Sequence, residues 1–269
     1  MTDRTGSDTF ESTNGATIFE QWWQPEGEAR AVLAICHGYA EHSGRYAQVA
    51  ADLNARGYVV EALDLRGHGR SSGERVAVEQ YDEYLDDLDG FLARVRRRNP
   101  GKKVFLLGHS MGGGVVTNYV IARVHGLDGL LLSGAAMLGP RPQPNPSQQA
   151  QAPAPLPASA ISRDPAVVAA YENDPLVYRG VRNPKAMEAS RPAYERVQAR
   201  MGEIALPLLI MHGTGDLLVP YQGSEILMER AASKDKTVKL YPGLYHEILN
   251  EPERDLVLAD VAGWLDART

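Results

Sequence analysis

The sequence predicts an α/β fold: a mostly parallel central sheet with helices on both faces and one inserted cap. Three observations carry that prediction. From Ala31 onward, short apolar runs alternate with amphipathic stretches of helical length. Several of those runs are apolar at successive positions, as strands covered on both faces require. The rhythm stops once, between Gly134 and about Glu203, where proline becomes frequent and no strand-like run occurs. A chain of 269 residues can bury one such core without metal or disulfide staples.

In chain order, Thr17 to Gln24 is expected to add an antiparallel edge. The parallel strands follow at Ala31–Cys36, Tyr58–Leu63, Lys103–Leu107, Leu127–Leu132, Pro207–His212 and Thr237–Tyr241. Helices are expected at Arg45–Arg56, Glu79–Arg98, Met111–Val124, Gln222–Ala232 and Pro252–Ala267. The core then comprises residues 1–133 and 204–269, and the insertion 134–203. Within the insertion, Gly139 to Ser159 holds seven prolines, no aromatic residue and one large aliphatic, Leu156. It cannot bury a face and reads as an extended linker. Further on, Asp164-Pro165 and Asn183-Pro184 each place an N-cap residue before a proline at the first helical position.

Composition narrows the function classes. Lys and Arg number 28 against 34 Asp and Glu, a net charge of −6 with no extended basic block, which argues against a nucleic-acid surface. The short basic run at Arg94, Arg96, Arg97 and Arg98 fits a helix carboxyl end. Cys36 is the single cysteine, so no disulfide within the chain and no cysteine zinc site can form. Its position at a strand end suits a small buried packing residue, and Trp22 and Trp23 read as packing residues too. Met1 to Thr17 is polar, and no run approaches the roughly 18 apolar residues of a membrane span. The expectation is a cytoplasmic protein, open to transient peripheral contact with lipid.

The chemistry is carried by Gly108-His109-Ser110-Met111-Gly112. It follows a strand and opens a helix, the context in which G-x-S-x-G exposes a serine at the carboxyl edge of a sheet. Gly69-Arg70-Ser71-Ser72-Gly73 fits the same pattern but follows a glycine-rich loop, so Ser71 reads as a loop residue. A serine nucleophile needs a base, and the base an orienting carboxylate. Asp216 and His246 lie just past the carboxyl ends of later strands, in the order this architecture requires. His109 and His212 adjoin turns and are expected to position backbone. Asp164, Asp174 and Asp235 fall in the cap or in a polar loop. No cluster has metal-ligand spacing. The oxyanion would be met by the backbone N–H of Met111 and that of Tyr39, in the loop after Cys36.

With those residues in place, the chain resembles α/β-hydrolases of the monoacylglycerol lipase and lysophospholipase group. The resemblance rests on H-G-Y-A-E-H-S-G-R-Y at His37–Tyr46, D-L-R-G-H-G-R-S at Asp64–Ser71, G-H-S-M-G-G at Gly108–Gly113, H-G-T-G-D at His212–Asp216 and Y-P-G-L-Y-H-E at Tyr241–Glu247. It implies hydrolysis of one ester bond of a monoacylglycerol through an acyl-enzyme on Ser110, with no cofactor. It also implies that Glu41 and Arg45 help place glycerol; a salt bridge at i,i+4 stiffening the loop is the competing reading. Relatives carry an apolar lid helix where this chain has its proline-rich stretch. The expectation is therefore a wider, wetter entrance with a weaker preference for long acyl chains. A broader carboxylesterase or lysophospholipase is the alternative reading, and a non-catalytic binding protein would require loss of a triad member.

Overall fold

The structure, a computed structural model, describes residues 4–123, 126–140 and 155–269. Among the described residues, eight strands form one sheet: β1 (Thr5–Glu11), β2 (Thr17–Trp23), β3 (Ala31–Cys36), β4 (Tyr58–Leu63), β5 (Val104–His109), β6 (Gly129–Ser133), β7 (Leu208–Gly213) and β8 (Lys236–Tyr241). Their order is β1-β2-β4-β3-β5-β6-β7-β8. Only β2 runs against the rest, pairing antiparallel with both β1 and β4. The mostly parallel sheet expected from the sequence is thus present.

The edge differs from expectation. β1 lies outside β2 and takes the edge position, although Thr5 to Glu11 has no apolar run to announce it. Its order comes from backbone pairing along the whole of β2 and from charge. Arg94 and Arg98 reach back from the helix Asp82–Arg98 to Asp8 on β1, Glu20 on β2 and Glu61 on β4. Glu20 and Glu61 are fully buried. Arg98 bonds both, and its guanidinium lies 4.7 Å over the Trp22 ring. The basic run does end a helix, yet two of its arginines also neutralise buried carboxylates that would otherwise be costly to desolvate.

The helices cover both faces because each central strand alternates its side chains between them. Val32, Ala34 and Cys36 of β3 join one core with α2 (Asp82–Arg98) and α3 (Met111–Ala122); Ala31, Leu33 and Ile35 join the other with α1 (Ala47–Asn54) and the last helix (Arg254–Asp266). Cys36 is buried as packing, and burial pushes its thiol well up, away from the reactive thiolate.

Between β6 and β7, the described residues hold two helices, α4 (Pro165–Asn173) and α5 (Pro184–Arg200), and no strand. Asp164 and Asn183 cap them through the N–H groups of Ala166 and Lys185, each followed by its proline. The remaining helices, in chain order, are α6 (Gln222–Arg230) and α7 (Arg254–Asp266). Most of the expected proline-rich linker, at 141–154, lies outside the described residues, as do the end of the helix expected to reach Val124 and His125.

Candidate active site

β5 runs into Ser110, whose φ of 52° and ψ of −118° put it in a strained conformation between strand and helix. The turn is locked by β6 and the residues after it. Ser110 N–H donates to the Ser133 carbonyl at 2.9 Å, and the Ser110 carbonyl accepts from Ala136 N–H at 2.9 Å. The hydroxyl therefore projects from the carboxyl edge of the sheet at the start of α3.

The three residues expected to act together meet there. Ser110 Oγ lies 2.8 Å from His246 Nε2, and His246 Nδ1 lies 2.7 Å from Asp216 Oδ2. With Asp216 ionised, Nδ1–H donates to the carboxylate and Nε2 is left to accept the serine proton. Burial alone would raise the Asp216 carboxyl. Hydrogen bonds from His212, His246 and the Val219 N–H outweigh it and hold the group well below the usual carboxylate range. Room for the imidazole comes from Gly134 (φ 53°), where a Cβ would sit 3.2 Å from His246 Nδ1.

On the other side of the serine, the loop after β3 places Tyr39 and Glu41 beside Ser110 and Met111. Among the described residues no acceptor takes the N–H of Tyr39 or of Met111, which leaves both donors available to an anion at Ser110. Glu41 shapes the loop from within: its carboxylate accepts from Gly38 N–H at 2.6 Å, Tyr46 OH at 3.0 Å and Arg45 at 2.9 Å. Arg45 also forms a bidentate pair with Glu247 at 2.6 and 2.8 Å and lies 5.0 Å over the Tyr171 ring. The i,i+4 pair is therefore present, and it belongs to a buried carboxylate–arginine–carboxylate cluster at the floor of the site.

Burial alone would raise the Glu41 carboxyl, but the charge of Arg45 foremost, with the Gly38 N–H, brings it down to about 2. Because the folded value is depressed, the resulting stabilisation is present above the ordinary carboxylate range and is lost as pH falls toward 2. Glu41→Gln is expected to be less stable than the parent at pH 7 by up to about 3 kcal/mol, with the gap closing between about pH 4.5 and 2. Urea midpoints measured across that range check it; a pH-independent gap would contradict the ionised role.

The other histidines and acids sort themselves by contact. His109 donates to the Ser133 carbonyl at 3.0 Å and lies ring to ring with His246 at 4.8 Å. Burial first, and then the charge of His246, push it down to about 4, so it stays neutral beside the base. Asp174 pairs with His42 at 2.9 Å, tying the segment between α4 and α5 to the loop after β3. Ser71 accepts from Phe19 N–H and donates to the Asp64 carbonyl, as a loop residue does. His212 differs from expectation: its side chain bonds the Asp216 carboxylate, rather than backbone alone. The four-residue spacing in H-G-T-G-D was the available signal. Arg182 and Tyr171, both at the cavity wall, carried no local signal; Glu247 closes the Y-P-G-L-Y-H-E motif, but its pairing with Arg45 could not be read from it.

That cavity has a volume of about 840 Å³ and opens on Ser110. Its walls are mostly apolar: Met111 from the start of α3, Met137, Leu156, Ile161 and Met187 from the segment between β6 and β7, and Leu218 from the loop after Asp216. Among the described residues no group of His, Cys, Asp and Glu could hold a metal ion. No helix among them is long and apolar enough to cross a membrane.

Comparison with known proteins gives a consistent picture. Residues 27–253 match the family described as serine aminopeptidase S33. The chain is 39% identical to a monoacylglycerol lipase of Mycolicibacterium smegmatis, over 96% of this chain and 95% of that protein. It is 32% identical to the Homo sapiens monoglyceride lipase, over 96% and 89%. Among solved structures it resembles the Paleococcus ferrophilus monoacylglycerol lipase, with a TM-score of 0.80, 29% identity, and coverage of 94% and 99%.

Proposed function

The chain belongs to the serine aminopeptidase S33 family of α/β-hydrolases and is a serine hydrolase, and from that premise we propose that it cleaves monoacylglycerols to a fatty acid and glycerol through an acyl-enzyme on Ser110. The observation that carries the substrate class is the large, mostly apolar cavity into which the serine opens.

Ser110 Oγ attacks the ester carbon while its proton passes to His246 Nε2, and Asp216 holds the imidazolium that forms. The carbonyl oxygen, now an anion, is met by the N–H groups of Tyr39 and Met111. As the tetrahedral species collapses, the bond to glycerol oxygen breaks and His246 returns the proton to that oxygen. Water then attacks the acyl carbon with His246 as base; the fatty acid leaves and Ser110 regains its proton. In this reading residues 134–203 act as a cap, with Leu156, Ile161 and Met187 supplying apolar wall for the acyl chain. Glu41 and Arg45 bound the alcohol side from below.

Peptide amines are poorly served by the same site. An aminopeptidase needs a free carboxylate for the substrate ammonium, and the two acids lining the described wall, Glu41 and Glu247, are both engaged by Arg45. Initial rates on a monoacylglycerol series from short to long chains, beside a lysophospholipid and a soluble nitrophenyl ester, test the proposal. Strong turnover of medium and long chains is expected, because Leu156, Ile161 and Met187 supply apolar wall in place of the wetter entrance expected from the proline-rich stretch. Activity confined to short soluble esters would overturn the substrate class and favour the wide, wet entrance.

One observation favours a second reading, hydrolysis of lysophospholipids. Arg182 lines the cavity mouth with its guanidinium 5.8 Å from the Tyr39 ring, and it forms no ion pair among the described residues. A cation there suits a phosphate headgroup. Arg182→Gln is expected to lower kcat/KM for a lysophospholipid about fivefold to tenfold while leaving an uncharged monoacylglycerol nearly unchanged. Equal loss on both substrates would remove this reading.

A further inference from the structure

The carboxylate of Asp216 is shared between two imidazoles. Oδ2 faces His246 Nδ1 at 2.7 Å and His212 Nε2 at 3.0 Å, while Oδ1 accepts the N–H groups of Leu218 and Val219 at 2.8 and 2.9 Å. His212 is fully buried at the end of β7 and takes no part in the proton transfers described above.

Its hydrogen-bond partners fix its tautomer. Nε2 is flanked by two acceptors, Asp216 Oδ2 and the Val219 carbonyl at 3.0 Å, so Nε2 must carry the hydrogen. Nδ1 lies 2.7 Å from Ser224 Oγ, in the first turn of α6. In the neutral ring Nδ1 is an acceptor, and the Ser224 hydroxyl donates to it. β8 sets Leu240 beside His212 in register, so Asp216 is the ionisable group that His212 meets directly, with His246 one atom beyond. His246 in turn faces Ser110 and the ring of His109.

We propose that His212 is a positioning residue for the triad acid: held in its Nε2–H form by Ser224, it shares Asp216 Oδ2 with His246 and so sets both the direction and the pull of that carboxylate on the base. The inference rests on the reading of Ser110, His246 and Asp216 as the catalytic triad. Two consequences follow from removing the second donor. The carboxylate can rotate away from His246 Nδ1, which lowers turnover. Its negative charge is also less satisfied and holds the proton of His246 more tightly, so the base form is lost at a higher pH.

Four variants of the full chain test this on whichever ester the parent turns over. Gln at 212 can place an amide N–H near the former Nε2; Asn is too short to reach Asp216; Leu fills the space without a donor; Ser224→Ala releases only the tautomer. His212→Leu and His212→Asn are expected to lose about tenfold in kcat with KM within about twofold. The acid limb of kcat/KM should move upward by about half a pH unit, and the low-field proton resonance of the His246–Asp216 hydrogen bond should shift. His212→Gln should recover to within about threefold of the parent, and Ser224→Ala should fall between.

A leucine variant that matches the parent in kcat and pH profile would overturn the inference. So would a glutamine variant that falls as far as leucine with an equal loss of melting temperature, because the role would then be packing. If the parent shows no ester turnover above a Ser110→Ala blank, the triad reading itself fails, and that result is distinct from either.

Discussion

Ser110→Ala is expected to lower ester turnover by about four to six orders of magnitude while leaving the folded structure intact. The size follows from what the hydroxyl does: it supplies the attacking oxygen and the proton that His246 Nε2, 2.8 Å away, is placed to receive. Among the described residues, nothing else at the carboxyl edge of β5 can replace it. Ser133 is committed to β6 and buried, and Cys36 is a buried thiol pushed far from ionisation. The fold should not suffer, because the locking hydrogen bonds use the backbone of residue 110 rather than its side chain. Loss of covalent labelling by a serine-directed fluorophosphonate, with an unchanged melting temperature, checks both halves. Ordinary esterase activity in the purified variant would remove the assignment. Asp216→Asn should approach the same loss, since its amide can present an N–H to His246 Nδ1 and favour the wrong tautomer.

The sequence made the site legible where the chemistry is local. G-x-S-x-G between a strand and a helix announces a nucleophile because the backbone strain and the close helix approach each need particular small residues in consecutive positions. H-G-T-G-D and Y-P-G-L-Y-H-E announce the acid and the base because each follows a strand end. What could not be read is what the fold assembles from afar. Arg45 meets Glu41 at i,i+4, a spacing visible in the sequence, but its bidentate partner Glu247 is 202 residues away. Asp174, a cap residue in the sequence, joins His42 across 132 residues. β1 leaves no mark in the sequence for another reason: Thr5 to Glu11 is mostly polar, and its stability comes from pairing with β2 and from Arg94, neither of which leaves an apolar period. His212 shows the middle case. Its spacing from Asp216 was in view, yet whether the ring faced the carboxylate or the backbone depends on α6, which brings Ser224 against the opposite nitrogen.

Gly112→Ala is expected to lower kcat by about two to three orders of magnitude and to lower the melting temperature, even though residue 112 has no side chain to contribute. A Cβ there would lie 2.2 Å from the His37 carbonyl oxygen and 2.3 Å from that of Cys36, both backbone atoms at the end of β3. Neither can turn aside as a flexible side chain could, so the first turn of α3 must retreat from β3. The two candidate oxyanion donors sit on opposite sides of this contact: Met111 N–H on α3, and Tyr39 N–H on the loop that β3 feeds. Separating them removes the effect of at least one donor, which costs about 10²- to 10³-fold in kcat where such a donor is deleted. Gly114→Ala supplies the control on the same helix. Its nearest atoms would be the Met137 Cγ and Sδ at 3.1 Å, part of a flexible side chain at the cavity wall. That variant should keep most of its kcat. Equal losses in the two variants would mean that helix propensity or general packing, rather than the gap between Met111 and Tyr39, controls the oxyanion site. A large loss in Gly112→Ala alone, with KM for the ester little changed, would locate the effect in the transition state.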